Sequence, residues 1–174
     1  MFEREIAASI FKKIYGTTMD VNSDDDRIRV QKAIYLMNEL GVSCGDYPFI
    51  WYLHGPYSYA LDVVVRSINA TEVDGYSDLD FDERTSSAIE HVKELLKPSN
   101  HGSYDTVYFW PEALGSLHYL MTYTMQRATK EQIIDRLMAA KPHLDNRKLN
   151  EEAYDRIKQL TTKEDGYNGT GNPG

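Results

Sequence analysis

Apolar residues return at helical spacing along most of this chain, and in two places they instead crowd into short aromatic runs. Phe2, Ile6, Ala7, Ile10, Phe11 and Ile14 form one stripe and predict a helix over Met1–Tyr15. A second stripe runs through Ile28, Val30, Ala33, Ile34, Met37 and Leu40. Ser23 stands in front of it as an N-cap, and Asp24, Asp25 and Asp26 follow where the positive end of the helix dipole favours carboxylates. Gly41 supplies the left-handed residue that commonly ends a helix. The other arc of this helix carries Arg27, Gln31, Lys32, Tyr35 and Asn38, with Gln31 and Tyr35 four apart and so on one face.

The run Phe49-Ile50-Trp51-Tyr52-Leu53 predicts a strand, with Phe49, Trp51 and Leu53 on one face and Ile50, Tyr52 and His54 on the other. Gly55-Pro56 is expected to leave the ladder, because proline has no amide to donate. Ser58 is positioned to cap a helix reaching Ile68, although three consecutive valines, Val63 to Val65, weaken its propensity. Beyond it, Thr71 to Glu83 is acidic and turn-rich. Its alternating Asp78, Asp80 and Asp82 fail as a calcium loop, because the sixth and twelfth positions hold Glu83 and Ile89 rather than Gly and Glu. Helices are then expected over Asp82–Leu96, from Pro111 through Met121, from a Thr129–Gln132 capping box through Met138, and over Lys148–Leu160. The second aromatic run, Tyr104–Trp110, predicts a strand pairing with Phe49–Leu53. The whole reads as a mainly α (α+β) fold, a compact multi-helix domain with a small β-hairpin or short antiparallel sheet. A single globular domain is expected over residues 1–163 and a disordered C-terminal tail over 164–174.

Composition narrows the function more than the fold. A net charge of −8 argues against non-specific nucleic-acid binding and against docking on anionic membranes. The single Cys44 cannot form an internal disulfide or anchor a structural zinc site alone. No basic segment leads into an apolar signal core, and no apolar stretch approaches the roughly 20 residues that span a bilayer, so a cytoplasmic protein is expected. The five histidines, His54, His91, His101, His118 and His143, are scattered and form no helical i, i+4 metal pair. There is no phosphate-binding glycine loop and no nucleophile elbow. No catalytic residue, metal ligand or cofactor site is therefore assigned. Aromatic usage carries more weight: the chain has thirteen tyrosines, and Tyr47, Tyr52, Tyr57 and Tyr59 gather around one turn. Tyrosine gives large contact area at low entropy cost and is enriched in binding hot spots.

Val30-Gln31-Lys32-Ala33-Ile34-Tyr35, followed by Trp51-Tyr52-Leu53-His54-Gly55-Pro56-Tyr57-Ser58, resembles the SocA-like, or Panacea, antitoxin-associated domain family. That family pairs an LQKLLY-like helix with a W-x-Y-G-P-like turn. Val30 and Ala33 depart from its usual leucines, His54 precedes the glycine, and Tyr57-Ser58 follows the proline, as in uncharacterised G-P-Y-S relatives. The resemblance implies a non-enzymatic, antitoxin-like module that neutralises or presents a partner protein, a toxin in the family's own case, by direct contact. The expected partner-binding residues are Gln31, Lys32, Tyr35, Tyr52, His54, Tyr57 and Tyr59. Two alternatives stay open: a winged-helix-like nucleic-acid-binding regulator, and a small hydrolase assembled from dispersed His and Asp residues.

Overall fold

In the computed structural model, which describes residues 2–167, two helices are buried all the way round and everything else packs about them. The first, α2 (Asp24–Glu39), is buried continuously from Val30 to Met37; the second, α5 (Phe109–Tyr119), from Pro111 to His118. A helix with no wet face must be central. Around this pair lie α1 (Phe2–Tyr15), α3 (Tyr59–Arg66), α4 (Glu83–Leu95), α6 (Lys130–Ala140) and α7 (Arg147–Tyr167). A two-stranded antiparallel sheet, β1 (Ile50–Tyr52) with β2 (Gly55–Tyr57), rests on α2 and α5. The protein is thus mainly helical with one short hairpin. One apolar core runs from Ala7 in α1 to Leu160 in α7.

Local chemistry sets most of the helix starts. The hydroxyls of Ser23, Ser58 and Thr129 and the carboxylate of Asp82 each accept an amide hydrogen bond at the N-terminus of their helix, and Gln132 completes the capping box with Thr129. Gly41, with φ +80°, follows α2 as expected.

Several expectations are corrected. Gly55 and Pro56 do not leave the ladder; they form it, with Trp51 opposite Pro56 and Tyr52 opposite Gly55. A two-stranded sheet has an outer edge on each strand, where a missing proline amide costs little. Gly55, at φ +85°, supplies the left-handed residue that follows the two-residue Leu53-His54 turn, and none of the described non-glycine residues has positive φ. The strand therefore ends at Tyr52. Leu53 falls in the turn and is 67% exposed, so Phe49, Trp51 and Leu53 do not share a buried face. Tyr104–Trp110 is not a strand: turns lead into α5, which begins at Phe109, and Pro111 sits in its first turn. Phe2, placed in the apolar stripe of α1, is 71% exposed because it lies at the helix's open end. The last helix, expected over Lys148–Leu160, extends to Tyr167, since helix propagates readily once nucleated. The rest of the expected tail lies outside the described residues.

Candidate functional site

The middle of the polar arc of α2 is turned inward, while Asn38 stays exposed. Gln31, Lys32 and Tyr35, read from the sequence as a face for a partner, are 3%, 1% and 0% exposed. Each has a long-range mate. The Gln31 amide donates to the Ser58 carbonyl and accepts from the Ser58 amide, both at 2.9 Å. Lys32 Nζ donates to the Pro56 carbonyl at 2.7 Å. The Tyr35 hydroxyl and His118 Nδ1 share a 2.7 Å hydrogen bond between the two central helices. These residues hold the hairpin and the start of α3 against the core. Burial pulls the Lys32 ammonium down to about 7, with Glu112 opposing that fall and Lys141 adding to it.

Above this layer the hairpin carries alternating sides. Trp51 turns inward, packs against Tyr119 at a 42° tilt with centroids 5.7 Å apart and lies under Lys141 Nζ at 4.7 Å. Ile50 and Tyr52 turn outward, 56% and 51% exposed. The adjacent helix α3 exposes Tyr59 and Val63, four apart and on one side.

Between hairpin, α2 and α3 lies a groove of about 540 Å³. Gln31, Lys32, Tyr52, His54 and Tyr57 line it, together with Leu53 and Tyr108. Five of the seven expected partner-binding residues therefore meet at one cavity. Tyr35 does not join them; it lines a smaller cavity of about 240 Å³ on the other side, with Tyr47, Phe49, Tyr119 and Tyr123. Tyr59 stands outside the groove on the exposed side of α3. At the rim, Arg27 pairs with Asp24, and Arg66 with Asp62 at 2.7 Å.

Beside the groove is a cluster that sequence reasoning missed. Glu112, in the first turn of α5, is fully buried. His143 Nε2 donates to its Oε1 at 2.8 Å, Lys141 Nζ is 3.8 Å from the same oxygen, and His54 Nδ1 is 3.6 Å from Oε2. His54 thus faces a distant carboxylate rather than a local backbone carbonyl. Lys141 also donates to the carbonyls of Tyr52 at 2.8 Å and Leu53 at 2.7 Å, which ties the hairpin turn to the segment after α6. Burial lowers the Lys141 ammonium, and Glu112 partly restores it. One signal for Glu112 was available: the rest of Pro111–Leu117 is apolar or small on every side, so a carboxylate within it is an interior charge.

Comparison with protein-family models, with curated proteins and with solved structures finds no match to this chain.

Proposed function

We propose that the protein is a non-enzymatic binding module whose hairpin and α3 receive a partner protein. The observation that carries this reading is the set of large apolar side chains left in water there: Ile50, Tyr52, Leu53, Tyr59 and Val63 are 49% to 73% exposed. Such side chains gathered on adjoining elements mark interaction surfaces, and tyrosines are preferred anchors. The groove next to them offers a recess for a side chain of the partner. Its polar floor, Gln31 and Lys32, is pre-set by hydrogen bonds, which limits the ordering cost of association. The antitoxin-like resemblance of Val30–Tyr35 and Trp51–Ser58 points to a toxin-class protein as the partner. The net charge of −8 favours a partner with a basic surface and disfavours nucleic acid. Among the described residues no helix is long and apolar enough to cross a membrane.

Affinity capture from the native host with the wild type, Leu53→Asp and Tyr59→Ala tests the reading. Both variants change exposed positions, so both should stay folded. The expected result is a stoichiometric partner that either variant loses, with about 2 kcal/mol or more of affinity gone at a hot spot. Equal retention by both variants would move the contact surface elsewhere.

A further inference from the structure

Three ligand-type side chains from three separate segments converge beside the groove: His54 in the hairpin turn, Glu112 on α5 and His143 between α6 and α7. Their ligand atoms all lie within 4.8 Å of one another. We propose that His54, Glu112 and His143 form a binding site for a divalent cation of the zinc class.

The geometry argues this in two steps. Glu112 Oε2 and His54 Nδ1 are both buried and neither has a hydrogen-bond partner. They face each other at 3.6 Å, too far for a hydrogen bond. Ligands on one tetrahedral zinc ion, bonded at about 2.0–2.1 Å, stand about 3.4 Å apart. The observed gap is therefore that of two ligands sharing an ion, and the cation would satisfy two atoms that are otherwise orphaned. On the second side, His143 Nε2 and Glu112 Oε1 at 2.8 Å need to open by roughly half an ångström to reach the same spacing, and the two imidazoles, whose ligand atoms lie within 4.8 Å of each other, close toward it as the ion binds.

The donor set selects the metal. Two imidazoles and one carboxylate suit zinc and its neighbours, whereas calcium and magnesium take oxygen ligands. Three protein ligands also leave a fourth position. Because His54 is part of the groove wall, that position is within reach of a ligand arriving through the groove. Lys141 opposes binding, since its ammonium 3.8 Å from Glu112 offsets the carboxylate charge. It also fixes the site, because its bonds to the Tyr52 and Leu53 carbonyls hold the His54 turn over α5. Affinity then depends mainly on the imidazoles. A bound ion would clip the hairpin turn and the segment after α6 to the central helix.

The test uses the full, untagged chain stripped with chelator and titrated with zinc by calorimetry, then with cobalt(II) read by its visible absorption. The expected stoichiometry is one ion per chain. His54→Ala and His143→Ala, at partly exposed positions, should each weaken binding by more than about tenfold, the scale of removing even an outer-shell partner of a metal ligand. His101→Ala, an exposed histidine outside the cluster, should bind as the wild type does. Zinc should raise the melting temperature of the wild type and leave both cluster variants unmoved. His54→Asn and His143→Asn carry the same test if an alanine variant melts early without metal. No saturable uptake by the wild type, or equal uptake by the cluster variants, would overturn the proposal.

Discussion

Gln31 is the side chain whose loss should reveal most about how the hairpin and α3 are held. Its amide is buried and makes two bonds to one residue, Ser58, which is itself fully buried and caps α3. Gln31→Ala removes both bonds at once. The Ser58 carbonyl keeps a partner, because the Asp62 amide also donates to it at 3.1 Å. The Ser58 amide keeps none. An orphaned buried donor costs about 1–3 kcal/mol. Truncating the buried side chain adds a cavity term, so the total expected loss is about 2–4 kcal/mol, out of a whole stability of roughly 5–15 kcal/mol. Gln31→Leu separates the two contributions: it fills most of the volume and should still lose about 1–3 kcal/mol from the stranded amide. Gln31→Glu can accept from the Ser58 amide but sets a second oxygen against the Ser58 carbonyl, so it should not rescue. Urea unfolding followed by tryptophan fluorescence gives the free energies, with an unchanged slope showing that the unfolded state is unaltered. A loss below about 0.5 kcal/mol in both Gln31→Ala and Gln31→Leu would refute the claim that this bond pair anchors α3 to the core.

Burial lowers the His118 imidazole from 6.5 to about 4, so the unfolded chain binds a proton there that the folded chain refuses. The stability this supplies is complete above pH 6.5 and is lost as pH falls toward 4, by about 3 kcal/mol; His118→Gln should flatten that part of a urea-unfolding series between the two pH values, and equal slopes in both proteins would contradict it. A methyl group on Gly55 would lie 2.4 Å from the Ser116 hydroxyl and would sit at φ +85°. Gly55→Ala should therefore cost about 2 kcal/mol or more, whereas Gly115→Ala, whose new methyl would be no nearer than 3.5 Å to Lys32 and Pro56, should shift stability by less than about 1 kcal/mol in either direction; thermal melts of the pair check the contrast. The Cys44 thiol is 3% exposed and pushed up to about 12 by burial, so a thiol reagent at pH 8 should label it only at the rate of opening and promptly in urea.

What could be read in advance followed from how local the cause was. Ser23, Asp82 and Thr129 cap the next turn of their own helix, so a few neighbouring residues suffice to place them. Ser58 belongs with them as a cap, but its bond to Gln31 crosses the fold and leaves no local trace. The same separation hid the hairpin's partner strand. Proline at position 56 argued against a ladder, but the closeness of Pro56 to Gly115, the left-handed Gly55 beside Ser116 and the Lys32 bond to the Pro56 carbonyl all come from distant segments. Lys32 is read from the sequence as part of an accessible face for a partner because a lysine is usually exposed; the Pro56 carbonyl and the nearby Glu112 charge make its burial tolerable. His54 and His143 carried no spacing signal, since the carboxylate between them comes from a third segment. Of the expected contact residues, Tyr52, His54 and Tyr57 gather at one groove with Gln31 and Lys32 because the turn that joins them is short.

Site-specific photo-crosslinking in the native host asks whether a protein docks on the hairpin and α3. A photoreactive residue would be placed at Leu53, at Tyr59 and, as a control, at Glu90, an exposed position of α4, which packs against α1 and α2. One and the same protein should crosslink from positions 53 and 59 and not from position 90. Crosslinking to that protein from position 90 alone, or none from 53 and 59, would contradict it.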